Sequence, residues 1–396
     1  MPTNEPAVKI SQFLGLRNKD RPARLPMGSL VVAQNVDIDD TGAVQRRRGF
    51  TASAAFTSVT AAYATRDESQ LFVVDNGSLK RVVSPSPLVT ELLATGIPDG
   101  EIYWCEAGNL IFYSGAAQGV IDGSRHLPIG IPMAPAPYLH RCDGTLPAGR
   151  YQIACVYQDA YGRQGGAGPA AAIELDEPGG IALNLQTLSG YTSIIYASEI
   201  NGGALLRVDS TTAAGYQITA PLRAGFPLDE AQIATYPAPG YGEQIAFFES
   251  RIWVAEYAPQ HDQTLIFFSK PFFYHLFDLG TDYLAIPGRV HVLTDAGGAL
   301  LIGTDREIHL YAGDVLSTVA PYGVIAGQSV DHDESGAAIF WTARGLCKAA
   351  PFQNLTDEVV SVPAGTRAAV SIARERGNRH AVVVVTGADA ADNAYV

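Results

Sequence analysis

The chain has 396 residues, a formal net charge of −13, 47% hydrophobic residues, 40 Gly and 24 Pro. That length allows two or three domains with a core that needs no disulfide or metal staple, and the acidity excludes an overall basic surface for holding nucleic acid. Abundant Gly and Pro favour tight turns. No capping residue introduces a sustained 3.6-residue apolar stripe, so the composition predicts an all-β chain with little helix.

No apolar run reaches the roughly 18–20 residues that span a bilayer, and Met1-Pro2-Thr3-Asn4-Glu5-Pro6 lacks the layout of a secretory signal. The expectation is a chain made and kept in the cytosol of its producing cell until assembly. Cys105, Cys142, Cys155 and Cys347 show no C-x-x-C or metal spacing, and all but Cys142 sit in or beside apolar strand-like runs, which predicts reduced, inert thiols.

The first fifty residues stand apart in charge: eight basic side chains against five acidic ones give about +3, leaving about −16 for the remainder. They read as an extended arm ending in a hairpin, with Val36-Asp37-Ile38, a turn over Asp39-Asp40-Thr41-Gly42, and a return strand from Val44.

From there short apolar strands recur beside turn residues. They are Leu71–Val74, Leu110–Tyr113, Ile252–Ala255, Leu300–Gly303, Ala338–Trp341 and Ala381–Val385, spaced 39, 142, 48, 38 and 43 residues apart. Roughly forty residues is the period of a four-stranded propeller blade. The long interval resolves as one blade plus an insert of about a hundred residues, which predicts a β-propeller of about six blades. Unrelated hairpins in a β-sandwich or in several small domains are the alternative.

Pro-rich linkers bound the insert, Pro128 to Pro137 on entry and Tyr236 to Gly240 on exit. Between them Tyr151–Tyr157 alternates as a strand, Asp159 to Arg163 turns, and further strands are predicted at Ala170–Leu175, Ile181–Leu185, Ser193–Tyr196 and Leu205–Val208, the pattern of a β-sandwich. The predicted divisions are therefore an arm and hairpin at 1–50, a first propeller part at 51–137, the insert at 138–236 and a second propeller part at 237–396.

Several motifs carry a chemical reading beside a plainer one. Asp40-Thr41-Gly42 spells the aspartic-protease triplet, but no second copy supplies the partner carboxylate and a hairpin turn accounts for it. Asp37, Asp39 and Asp40 offer oxygens to a hard cation without the remaining ligands of an EF-hand loop. The glycines of Gly162–Gly168 have phosphate-cradle spacing, yet Pro169 and a strand follow where a helix N-terminus is needed. His332-Asp333-Glu334 reads as a polar hairpin turn more readily than as a metal site. Phe267-Phe268 and Phe272-Phe273-Tyr274 could stack sugars, but core or subunit interface is the stronger expectation. No catalytic residue, cofactor site or metal site is expected. Arg46-Arg47-Arg48 is the one charge run with a functional reading: contact with packaged DNA or with an acidic neighbouring subunit, against a solvated strand end.

A family resemblance enters on particular residues. Phe13-Leu14-Gly15-Leu16-Arg17-Asn18, Leu25-Pro26, and Ala33-Gln34-Asn35-Val36-Asp37 through Arg46-Arg47-Arg48-Gly49 resemble the opening of the tail nozzle, or tail hub, β-propeller proteins of short-tailed bacteriophages. Tyr151–Tyr157 with Gly162 is similar to the immunoglobulin- or fibronectin-like insert of that family, and Ile195-Tyr196-Ala197-Ser198 with Asn201-Gly202-Gly203, Arg251–Ala255, Leu301–Thr304 with Ile308–Tyr311, and Trp341–Leu346 extend the resemblance. The resemblance implies a non-enzymatic virion protein, assembled in the host cytoplasm into a homo-oligomeric ring, hexameric in that family. It further implies that the ring extends the DNA channel below the portal and adaptor proteins, touches genomic DNA transiently in its lumen, and anchors a tail needle, spike or fibre. A carbohydrate-binding or glycoside-processing propeller is the alternative from another class.

Overall fold

The computed structural model describes residues 12–33, 36–39, 41–46, 56–222, 225–240, 242–361, 363–375 and 378–387. Among these the regular structure is all β, relieved only by the short 3-10 turns Pro22–Arg24 and Glu230–Gln232. The chain divides into two units, Leu93–Pro287 and the combination of Met1–Leu92 with Gly288–Val396.

In the unit Leu93–Pro287 an antiparallel four-stranded meander runs through Ile102–Ala107, Leu110–Gly115, Gly119–Asp122 and Arg125–Leu127. A second sheet, Gln244–Phe248, Arg251–Ala258, Gln263–Lys270 and Phe273–Phe277, carries Tyr283–Pro287 as a fifth strand paired to Gln263–Lys270. The two share one core, in which Phe112, Val120 and Leu127 meet Ile252, Val254 and Phe277.

The insert leaves between these two sheets and forms a two-sheet sandwich. One sheet orders Tyr138–Leu146, Gly179–Asn184 and Gly215–Ile218; the other orders Ala171–Leu175, Gly149–Gln158, Thr192–Ser198 and Leu205–Thr211. Leu146, Ile181, Leu183 and Ile218 of the first pack on Tyr151, Ile153, Cys155 and Ile195 of the second. It is the two-sheet β insert that the sequence predicts, with consecutive strands Tyr138–Leu146 and Gly149–Gln158 in different sheets.

The other unit holds three further four-stranded meanders. They are Val59–Ala64, Leu71–Asp75, Ser78–Pro85 and Leu88–Thr95; Val290–Asp295, Leu300–Thr304, Ile308–Ala312 and Val315–Ala320; and Val330–His332, Ala338–Thr342, Gly345–Lys348 and Gln353–Asn354. The hairpin Arg367–Glu375 with Asn378–Thr386 closes the series. Val292, Leu301 and Ile308 share a core with Phe340 and Cys347, and Trp341 and Leu346 share another with Val370 and Val383.

All six apolar runs fall on the same place in their sheets. Each is the second strand in sequence, so the forty-residue period is the distance from one sheet's second strand to the next. Leu300–Thr304 and Ala338–Thr342 are buried at every residue, as is most of Leu71–Asp75. A strand covered on both faces reads as a continuous apolar run rather than an alternating one.

The segment 12–46 corrects one expectation. It is not an extended arm but folds on itself. Gly15–Leu16 pairs in parallel with Ser29–Leu30, the Leu14 N–H donates to the Gly28 carbonyl at 2.9 Å, and the Phe13 N–H donates to that of Gly42 at 2.9 Å. The hairpin Val36–Ile38 with Val44–Arg46 forms where the sequence predicts it.

Candidate functional site

Three motifs with separate chemical readings turn out to be one structural device. In Asp39-Asp40-Thr41-Gly42-Ala43, Asp159-Ala160-Tyr161-Gly162-Arg163 and Asp333-Glu334-Ser335-Gly336-Ala337, the glycine N–H donates to the carbonyl of the aspartate three residues back, at 2.8, 3.1 and 3.0 Å. The aspartate N–H donates to the carbonyl of the fifth residue at 3.0 Å in each. Gly42, Gly162 and Gly336 have φ of +79°, +84° and +78°, the left-handed conformation that closes a three-residue hairpin loop with a bulge.

The carboxylates lock these loops. Asp39 Oδ1 accepts from the N–H groups of Thr41 and Ala43, both at 2.9 Å. Asp159 Oδ1 accepts from those of Tyr161 and Arg163, both at 2.9 Å. Asp333 Oδ1 accepts from those of Ser335 and Ala337, at 2.8 and 3.1 Å. Lys348 adds an ion pair to Asp333 at 2.7 Å. The Thr41 hydroxyl and the loop N–H groups hold the Asp39 carboxyl below its ordinary range. Burial pushes the Asp333 carboxyl up, but Lys348, Ser335 and the loop N–H groups outweigh it and leave it far below that range.

The protease triplet is thus the turn of a hairpin, with Asp40 itself outside the described residues. At the histidine motif, His332 Nε2 lies 2.9 Å from the Asp295 carbonyl oxygen and 3.0 Å from Thr294 Oγ1. A carbonyl only accepts, so this nitrogen carries the proton and is engaged in a hydrogen bond.

The rest of the glycine-rich loop does a different job. The Gly165 N–H donates to the Tyr157 carbonyl at 2.9 Å, Ala167 to Gln232 at 2.7 Å and Gly168 to Ala134 at 3.0 Å. Ala134 and Ala234 donate back to the carbonyls of Gly166 and Ala167, at 3.1 and 3.0 Å. The loop therefore sits as the middle member of a small ladder between the entry and exit linkers of the sandwich, and three of its N–H groups are already spent on protein carbonyls. Side chains are shut out: a Cβ on Gly166 would stand 1.9 Å from the Thr235 carbonyl oxygen, and one on Gly168 2.5 Å from that of Ala134. His275 Nε2 donates to the Gln164 carbonyl at 2.8 Å, tying the five-stranded sheet to the same clasp.

The aromatic clusters are for the most part packed against the protein. Phe267 is buried, Phe268 lies 4.5 Å from the Trp253 ring and under the Arg251 guanidinium, and Tyr274 stands edge-on to Phe112 and Phe247. Phe272 differs. It is 75% exposed at a turn with φ of +63°, a conformation costly for a bulky residue. Cys155 and Cys347 are buried; burial pushes the Cys155 thiol up to about 12 and raises that of Cys347 as well.

Of the basic run, Arg46 is exposed at the end of Val44–Arg46, and Arg47 and Arg48 lie outside the described residues. A basic surface that the sequence reading did not single out lies earlier in the chain. Arg21 and Arg24 are exposed around the turn Pro22–Arg24, next to Met27, Val31 and Val32, with Met27 and Val32 each 67% exposed. Clustered Arg and apolar residues between positions 21 and 32 were the available signal. This segment is fixed to its own unit by Asn18, whose side chain donates to the Ser361 carbonyl at 2.9 Å and accepts from the Ser361 N–H at 2.6 Å. Lys19 pairs with Asp357 at 2.6 Å.

No family model and no curated protein matches the chain. Among solved structures it is similar to dipeptidyl peptidase 4 of Porphyromonas gingivalis at 10% identity, over 86% of this chain and 45% of that one, with a TM-score of 0.29. It is similar to a catalytically inactive virginiamycin B lyase of Staphylococcus aureus with quinupristin at 10% identity, over 80% of this chain and 88% of that one, with a TM-score of 0.32. A third likeness is the extracellular domain of a putative one-component system of B. thetaiotaomicron, at 11% identity over 83% and 57%, with a TM-score of 0.23. The chain spans less than half the length of the peptidase, and at these scores no activity passes from any of the three.

Proposed function

We propose that the chain is a structural, non-enzymatic subunit of a phage tail nozzle ring, with the meander sheets as propeller blades and the clasped sandwich as a peripheral domain. The observation that carries a structural role is the fate of the chemical motifs. The triplet Asp40-Thr41-Gly42, the glycine run after Tyr161 and the His332 motif are absorbed into turns and linker ladders that stiffen the body. The particular position in a tail rests on the resemblance of residues 13–49 and the later hairpins. Portal and adaptor proteins on one side, and a needle, spike or fibre on the other, are the partners this reading names.

A subunit that meets its neighbours through unlike surfaces closes a ring by head-to-tail contacts. The acidic remainder of the chain suits a conduit, because every Lys or Arg that neutralised a phosphate would retard the passing DNA. The carbohydrate reading has less to stand on, since Phe267 is buried, Phe268, Phe273 and Tyr274 are half-buried, and of these five Phe272 alone is exposed. Purified chain mixed with portal and adaptor proteins should co-sediment as a defined complex. A chain that ignores them and binds glycans as a monomer would overturn the proposal.

A further inference from the structure

The segment 12–46 carries exposed apolar and exposed basic side chains together. Leu14, Met27, Val31, Val32 and Val44 are all large, apolar and exposed within it. Arg21 and Arg24 are exposed beside them and make no ion pair among the described residues. Elsewhere in the chain, basic side chains are commonly matched: Lys80 with Asp75, Arg81 with Glu91, Arg163 with Asp159, Lys348 with Asp333. Arginine with exposed apolar side chains is the composition of an interface rather than of a solvated surface.

Charge says what covers it. The first fifty residues carry about +3 and the remaining chain about −16, so the complementary surface available in any solution of this protein is the body of another copy. Lys19 already shows the chemistry on its own body, where it pairs with Asp357. We infer that the exposed segment carrying Arg21, Arg24, Met27 and Val32 docks on the acidic body of a second copy, making a head-to-tail contact between unlike surfaces. This rests on the oligomeric part of the proposed function and assigns the surface that makes the contact.

Exposed charges are screened within about 10 Å at 0.1 M salt, so the contact should weaken as salt rises while its apolar part persists. The test is mass photometry and sedimentation of the full chain across salt, beside R21E/R24E, the milder R21Q/R24Q, and R150E/R207E as an equal charge change on the sandwich. The expected result is a salt-sensitive oligomer whose association weakens at least tenfold in R21E/R24E and less in R21Q/R24Q. The R150E/R207E protein should assemble like the wild type, and all four should melt alike. An oligomer unchanged in R21E/R24E, or lost equally in R150E/R207E, overturns this inference and leaves the ring reading standing. A wild-type chain that stays monomeric at every salt and concentration overturns both.

Discussion

The meander sheets and the N-terminal segment use the same residue types to opposite ends. In the meanders, the apolar side chains of Ala338–Thr342 and Leu300–Thr304 are wholly inside, and aspartates such as Asp333 spend their charge on loop N–H groups and a lysine. In residues 12–46, Met27, Val32, Arg21 and Arg24 all face outward, and the fold is held by backbone hydrogen bonds and by Asn18 and Lys19. The second strands of the meanders are covered within one chain, whereas Met27, Val32, Arg21 and Arg24 remain open, which is what a contact surface requires.

Stability measurements can break this contrast. The largest effect should come from the shared cores: Phe340→Ala removes a fully buried ring and should cost about 3–5 kcal/mol, read as a lower denaturation midpoint with an unchanged slope. Gly166→Ala should come next. Its Cβ has no room beside the Thr235 carbonyl, so the linker ladder must open, and proteolysis within 128–137 or 228–240 should accelerate while the sandwich core stays protected. A Gly166→Ala protein as resistant as the wild type would remove the clasp from the account.

Asp333→Ala should cost less, about 1–2 kcal/mol, because the carboxylate is partly solvated and some of its donors regain water. The sign with pH follows from its depressed pKa. The aspartate's contribution is complete above its ordinary value of 3.8 and drains away as pH falls through the lower folded value. The gap in melting temperature between wild type and Asp333→Ala should therefore be full near neutrality and narrow only in strong acid. The smallest effect should come from R21E/R24E, within about 0.5 kcal/mol of the wild type, as expected for exposed positions. A large loss there would mean that these arginines serve the fold.

What the sequence made legible follows the same division. The second strands announce themselves because burial on both faces demands unbroken apolar runs. Outer strands such as Val315–Ala320, mostly exposed, give no such signal. The sandwich's sheet order depends on pairings between distant strands, which local pattern does not encode. The compaction of residues 12–46 was missed because backbone groups, among them Leu14 with Gly28, carry it. The shared Asp-x-x-Gly-x loop was written in the sequence three times, but each copy resembled a different chemistry and hid the common geometry. The clasp needed three segments from positions near 134, 166 and 234 to be seen together.

The central claim, an all-β chain that assembles with copies of itself, is tested most directly by negative-stain electron microscopy of the purified full chain at low salt. The account predicts closed rings of one copy number, with subunits touching through unlike surfaces. A field of single, unassociated particles at every concentration would contradict it.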